Sequence, residues 1–303
     1  MDRRLCVLGT LILSASAVLA QEASGPPKIL AIAREEIKPG QGGAHAKSVA
    51  TFIAAVARAN APLYRIGLTP VSGDENAVVY LQAFDSFAEV EAAHKQFEET
   101  IAANAAFKAD LDRLDREEVN QHASQKTAYY TLRSDLSYQP RTAEQTGKSR
   151  FMSVSTTRIK PGRLVDYADY IKALNVAREK AGADVHTAVY QVLSGAPTGT
   201  FLSFTSMRSL SDIDDARQRM EQRQKAIDEA LGGPEVVKQR RMLISEIAAD
   251  GYNTIYAMEP SLSRPSAVIA AADPDFWNPK PAATTKALAV KKATPKAKEE
   301  PKP

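Results

Sequence analysis

A chain of 303 residues with 44% hydrophobic and 25% charged side chains has room for about two domains and enough apolar material to bury their cores. Its formal charge of +3 is uneven: the stretch from Pro279 onward carries seven Lys and two Glu, the first twenty residues add one positive charge, and the body between is left at −3. That excludes a basic nucleic-acid-binding body, and a lone cysteine, Cys6, excludes an intrachain disulfide framework or a cysteine-ligated metal.

The N-terminus combines Arg3-Arg4, an apolar run from Leu5 to Leu13 and a Val18-Leu19-Ala20 ending. These are the three parts of a secretory signal peptide over residues 1–20, cleaved after Ala20 and taking Cys6 with it. The run is shorter than the ~20 residues a membrane span needs. A periplasmic or secreted protein without a transmembrane segment is expected.

The next stretch, 21–133, reads as one structural unit. Residues 28–37, "KILAIAREEI", are strand-like and run into Lys38-Pro39-Gly40, where proline withdraws a donor and glycine turns the chain. Val49, Phe52, Ile53 and Val56 then recur at helical spacing. A second strand enters a hairpin at Ser72-Gly73, a third covers 77–84, and Ser86 with Glu89 forms a capping box for a second helix. Phe107, Leu111 and Leu114 continue helical sequence, and "TAYYTLRSDL" from Thr127 supplies a fourth strand.

A polar, turn-rich linker, 134–149, leads to a second unit at 150–260 that repeats the first. Ile37-Lys38-Pro39-Gly40 returns as Ile159-Lys160-Pro161-Gly162, the helical stripe as Leu164, Tyr167, Ile171 and Leu174, and the hairpin as Ser194-Gly195. A third strand at 200–207, a Ser209–Asp212 box, a helix start at Pro234 and a fourth strand in "DGYNTIYAME" complete the copy. A C-terminal extension, 261–278, carries Phe276 and Trp277, and the Lys/Pro/Ala-rich tail, 279–303, has a disordered composition.

Each unit therefore reads β-α-β-β-α-β, the ferredoxin-like pattern, an α+β fold whose sheet has one uncovered face. Two copies packed sheet to sheet would cover each other as an intrachain pseudo-dimeric α/β barrel. With the strand–Lys-Pro-Gly–helix starts, the Ser-Gly hairpins and the Ser-x-x-Glu helix entry in place, the chain resembles the dimeric α/β-barrel superfamily, in particular tandem NIPSNAP-like and antibiotic-biosynthesis-monooxygenase-like domains. The resemblance implies that fold. It implies no single reaction, because the superfamily includes cofactor-independent oxygenases, haem enzymes and members without known activity.

Candidate chemistry is sparse. There is no HExxH, CxxC or close histidine pair, so no metal site and no cofactor are expected. His45 falls on the first helix stripe and reads as packing, His94 as the edge of a stripe, and His122 as a solvated helix end. The acidic pairs, Glu35-Glu36 among them, read as solvated surface. His186 and Tyr64, at matching positions of the two second strands, are the candidate catalytic pair, provided both face a space between the sheets. Tyr80, Tyr130, Tyr190 and Tyr256 are candidate ligand-binding residues, each apolar with one polar end. The expected function is binding of a small, partly apolar ligand or of a partner between the repeats. The alternative is a cofactor-independent monooxygenase-like enzyme working in that cavity. The basic tail would add weak contact with anionic envelope polymers, and the oligomeric state is left open.

Overall fold

The computed structural model describes residues 25–278, so the expected signal peptide and the Lys-rich tail lie outside the described residues. The first half runs β1 (Ile29–Ile37), α1 (Gly42–Arg58), β2 (Arg65–Pro70), β3 (Ala77–Phe84), α2 (Phe87–Ala103), α3 (Ala105–Glu118) and β4 (His122–Leu132). A short α4 (Ala143–Gly147) lies in the connector. The second half runs β5 (Phe151–Ile159), α5 (Leu164–Lys180), β6 (Ala188–Ser194), β7 (Thr200–Met207), α6 (Ser211–Gln218), α7 (Met220–Ala230), α8 (Pro234–Ile247) and β8 (Ala248–Arg264). Two short helices, α9 (Ala267–Ala272) and α10 (Pro274–Trp277), follow.

The repeated Lys-Pro-Gly has a conformational cause. Gly40 and Gly162 have φ of +81° and +80°, a region that side-chain-bearing residues enter only with strain. Each glycine thus turns the chain from the end of a strand into the helix that covers it. Asn104 separates α2 from α3, its side chain accepting from the Phe107 amide at 3.0 Å. The Ser86 hydroxyl accepts from the Glu89 amide, while the Glu89 carboxylate reaches the Asp85 amide, one residue ahead of the expected box partner. The second expected box does not form. Leu210 already has helical dihedrals, which leaves Ser209 outside the cap, and Asp212 accepts from the Arg208 amide instead.

All eight strands pair antiparallel in one closed barrel, in the order β1-β3-β2-β8-β5-β7-β6-β4 and back to β1. The expected sheet-to-sheet stacking is therefore realised differently. Each half supplies four adjacent strands, and the two sheets join edge to edge along β2·β8 and β4·β6. Closure leaves no strand edge without a partner. The Ser-Gly hairpins serve these seams. Ser72 Oγ accepts from the Ile255 amide on β8, and Ser194 pairs with Tyr129 on β4.

Side chains alternate across each strand, so one parity faces the barrel interior and the other the helices. The interior holds the largest apolar cluster, including Leu30, Leu68, Leu81, Met152, Phe204 and Met258. Outside it, α1 packs over β1 and β3 through Val49, Ile53, Val78 and Ile37. On the other half, Tyr167, Phe201, Ile159 and Ile247 join α5 and α8 to their sheet.

The connector is built into this body. Leu136 and Tyr138 are buried, Tyr138 bridges to Thr187, and a capping box of Thr142 and Gln145 starts α4. α4 meets α9 closely: a Cβ on Gly147 would lie 2.8 Å from the Ala272 Cβ. Trp277 enters the barrel cluster, and its indole donates to the Gly147 carbonyl at 2.8 Å. Arg150 covers the Phe276 ring at 3.9 Å and pairs with Asp273.

Trp277→Ala is expected to cost about 3–5 kcal/mol of stability in urea unfolding followed by circular dichroism, as for other large buried aromatics. Gly195, at φ +81°, would place a Cβ 2.2 Å from the Thr127 carbonyl across the β4·β6 seam. Gly195→Ala should therefore cost about 2 kcal/mol or more in the same measurement, through strain and seam separation together.

Candidate functional site

The barrel interior, where a ligand was expected, is occupied by the protein's own side chains. Tyr130, Tyr190 and Tyr256 all belong to its apolar cluster. Tyr190 sets its ring edge-on to Phe204 at 5.6 Å and donates to the Pro27 carbonyl at 2.8 Å. Burial pushes the Tyr130 phenol up to about 12. Together with Met152, Met258, Phe204 and Trp277, these tyrosines fill the space between the halves. Tyr80, on the opposite parity, packs in the helix-facing layer with Val49 and Ile37.

His186 and Tyr64 do not converge. Both lie ahead of their strands, which begin only at Ala188 and Arg65. Tyr64 is 52% exposed with Arg264 over its ring, and His186 Nδ1 and Nε2 contact the Gln139 carbonyl and Asp184. The seams explain the separation: β2 joins β8 while β6 joins β4, so three strands stand between β2 and β6 in either direction around the barrel. Positions that match in sequence are thereby sent to opposite sides.

A polar constellation forms elsewhere, beneath α1 and α3. Glu35 shares the helix-facing parity of β1 with Ala33 and Ile37, so its carboxylate points into the layer under α1 rather than into solvent. His45, one turn before Val49 on the α1 stripe, is 2% exposed, and its Nε2 lies 2.8 Å from Glu35 Oε2. His122 is the first residue of β4, opposite Ile37, and its Nε2 lies 3.3 Å from the same carboxylate oxygen. The side chains of Glu35 and His122 are only 16% and 12% exposed. Both the solvated reading of His122 and the surface reading of Glu35 are corrected by this placement. The helical pattern of α3 ends at Glu118, and a bulge between Glu36 and Ile37 brings His122 into register. His45 is buried as expected, but as a hydrogen-bonding partner and not only as packing.

Two opposing influences set the charge of Glu35. Burial pulls its carboxyl up, but the hydrogen bond from His45 and the charges of His45, His122 and Arg65 outweigh it and hold the group below the ordinary carboxylate value. Glu118, half-buried and with Glu35 nearby, is pushed up. Arg65 sets its guanidinium 3.9 Å from the Tyr80 ring centre and 5.1 Å from that of Phe52. Burial lowers its pKa, against the pull of Tyr80, Glu35 and Glu118. The Arg65 Nε and the Tyr80 hydroxyl are buried without a hydrogen-bond partner among the described residues.

A cavity of about 410 Å³ adjoins this group. Val49, Phe52, Ile101, Leu111 and Leu114 give it apolar walls, Arg65, Glu35 and Glu118 are its half-buried polar groups, and the exposed Lys108, Asp112 and Asp115 also line it. Two further cavities are described, one along α7 and α8 beside Pro234 and Met242, the other between α2 and Tyr129 beside His94. Neither opens into the barrel cluster.

Two sequence signals pointed to the polar group without naming it. One was a histidine on an otherwise apolar helix stripe; the other was a glutamate at the buried parity of a strand.

No protein-family model matches the chain, and no curated protein matches it in sequence. Solved structures share its general shape. A monooxygenase candidate from Fusobacterium nucleatum has a TM-score of 0.45 at 11% identity, over 77% of this chain and 93% of its own. A second monooxygenase candidate, from Lactobacillus acidophilus, has 0.43 at 9%, over 77% and 94%. A chlorite dismutase variant from Candidatus Nitrospira defluvii, in complex with cyanide, has 0.43 at 10%, over 81% and 95%. The likeness is one of overall shape; the barrel and the site are read from this chain's own residues.

Proposed function

We propose that this chain is an exported small-molecule-binding protein made of two ferredoxin-like copies. Its ligand would lie in the cavity beneath α1 and α3 and not between the halves. The observation that carries the reading is Arg65, half-buried between two aromatic rings at the wall of that cavity, with its Nε and the neighbouring Tyr80 hydroxyl unpartnered among the described residues. An unsatisfied buried polar atom costs about 1–3 kcal/mol, and a ligand offering a hydrogen-bond acceptor to Arg65 would recover part of it. The volume suits a small molecule, and the apolar walls suit one that is partly hydrophobic. The ligand class is thus a compact, partly apolar molecule with an acceptor-bearing head group.

A monooxygenase-like reaction between the halves would need open volume where Tyr130, Tyr190, Tyr256 and Phe204 pack. The filled interior favours the binding reading.

Native mass spectrometry with metabolite extraction from the purified chain should show a bound small molecule. Leu111→Trp, which fills the cavity, and Arg65→Met should both abolish it, while Tyr190→Phe in the barrel retains it. A ligand that survives both cavity variants would overturn the assignment. Tyr80→Phe removes a hydroxyl that has no partner, so it should raise the stability of the ligand-free protein by about 1–3 kcal/mol in urea unfolding.

A further inference from the structure

We propose that Glu35, His45 and His122 form a binding site for a divalent transition-metal ion. The two imidazole Nε2 atoms converge on one carboxylate oxygen, Glu35 Oε2, at 2.8 and 3.3 Å, and the three donor atoms all lie within 4.8 Å of one another. Ligand atoms bound at about 2.0–2.1 Å around a tetrahedral or octahedral ion stand about 2.9–3.4 Å apart, close to the two nitrogen–oxygen separations here. The two rings lie edge to face, with centroids 5.2 Å apart.

Hydrogen bonding alone leaves this arrangement unfinished. The 3.3 Å approach of His122 Nε2 lacks hydrogen-bond geometry, and that nitrogen is buried without a hydrogen-bond partner among the described residues. Gln121, next to it in the chain, has a buried Oε1 that is also without a partner among the described residues. The other groups are held in place. Glu35 Oε1 accepts from Gln125 Nε2 at 3.3 Å, and Gln121 Nε2 donates to Ser48 Oγ at 3.0 Å. Outer contacts of this kind orient metal ligands and tune their donor strength.

The second half of the molecule supplies an internal comparison. Ile159 sits at a strand bulge as Ile37 does, and the residues at the three matching positions are Thr157, Tyr167 and Ala248. Tyr167 meets Phe201 at 4.6 Å with tilted rings in an apolar cluster, and none of the three matching positions holds a histidine or a carboxylate. The layer between helix and sheet is therefore built in one half without any of the three ligand-type groups. Placing two imidazoles and a carboxylate in the other half carries a desolvation cost that packing does not require.

Two neutral imidazoles and one carboxylate suit zinc, iron, cobalt or nickel better than magnesium or calcium, which prefer all-oxygen shells. Three protein ligands also leave a coordination position open. Glu35 lines the cavity described above, so a bound ion would border it. The metal site does not rest on the cavity reading, because none of its three ligands is the Arg65 that carries that reading.

The test is titration of the chelator-stripped full chain with Co²⁺ and Zn²⁺, read by metal content, cobalt ligand-field absorption and thermal denaturation. One ion per chain is expected, with an intense visible cobalt band and a raised melting temperature. His122→Ala and Glu35→Gln should abolish the band and the thermal shift, and Gln125→Ala should weaken binding by about tenfold or more. His94→Ala should leave both intact. His45 is too buried to serve as the sole variant, so circular dichroism of the His122 and Glu35 variants establishes that the fold persists. Absence of stoichiometric uptake, or uptake unchanged in His122→Ala, would overturn the site. Metal uptake without a cavity ligand, or the reverse, separates this inference from the proposed binding function.

Discussion

Edge closure is the constraint on which the rest of the structure depends. A four-stranded sheet with helices on one face exposes its other face and two outer strands. Here both problems are solved at once, because β2 finds β8 and β4 finds β6. Close approach at both seams is left to glycine. A Cβ at Gly67 would lie 2.6 Å from the Leu262 Cβ at one seam, and Gly195 has comparable crowding at the other. Close approach of the backbones at the joints lets the inner faces meet as one apolar cluster.

The same closure decides where chemistry can reside. Large side chains on the inward parity consume the interior, with tyrosines, methionines and an imported tryptophan filling it. Buried polar groups gather instead in the layer between sheet and helix of the first half. There Glu35, His45, His122, Arg65 and Tyr80 occupy ground that Tyr167, Phe201 and Ile247 make hydrophobic in the second half. One copy of the layer has been left to packing, and the other carries buried charge.

Much of the architecture was legible in residue order. Strands at 77–84 and 200–207 follow from their β-branched and aromatic content, and the Pro-Gly turns mark where strands give way to helices. The site was less legible, for identifiable reasons. Glu35-Glu36 looks like a solvated pair, yet adjacent strand residues point to opposite faces. Glu35 meets His45, while Glu36 accepts from Ser124. "HASQK" lacks the alternation of a strand and is drawn into β4 only by pairing with β1, which carries His122 to Glu35. His186 and Tyr64 were separated by barrel order, a property of the closed sheet that neither strand's own sequence contains.

β8 is the last of the eight strands, and it alone bridges β5 to β2 along one seam, with Trp277 arriving later still. The ring of hydrogen bonds cannot shut until residues near the end of the described chain are present. A chain still being synthesised would therefore hold an open sheet for most of its length. It would become a sealed body only when its final segment comes free.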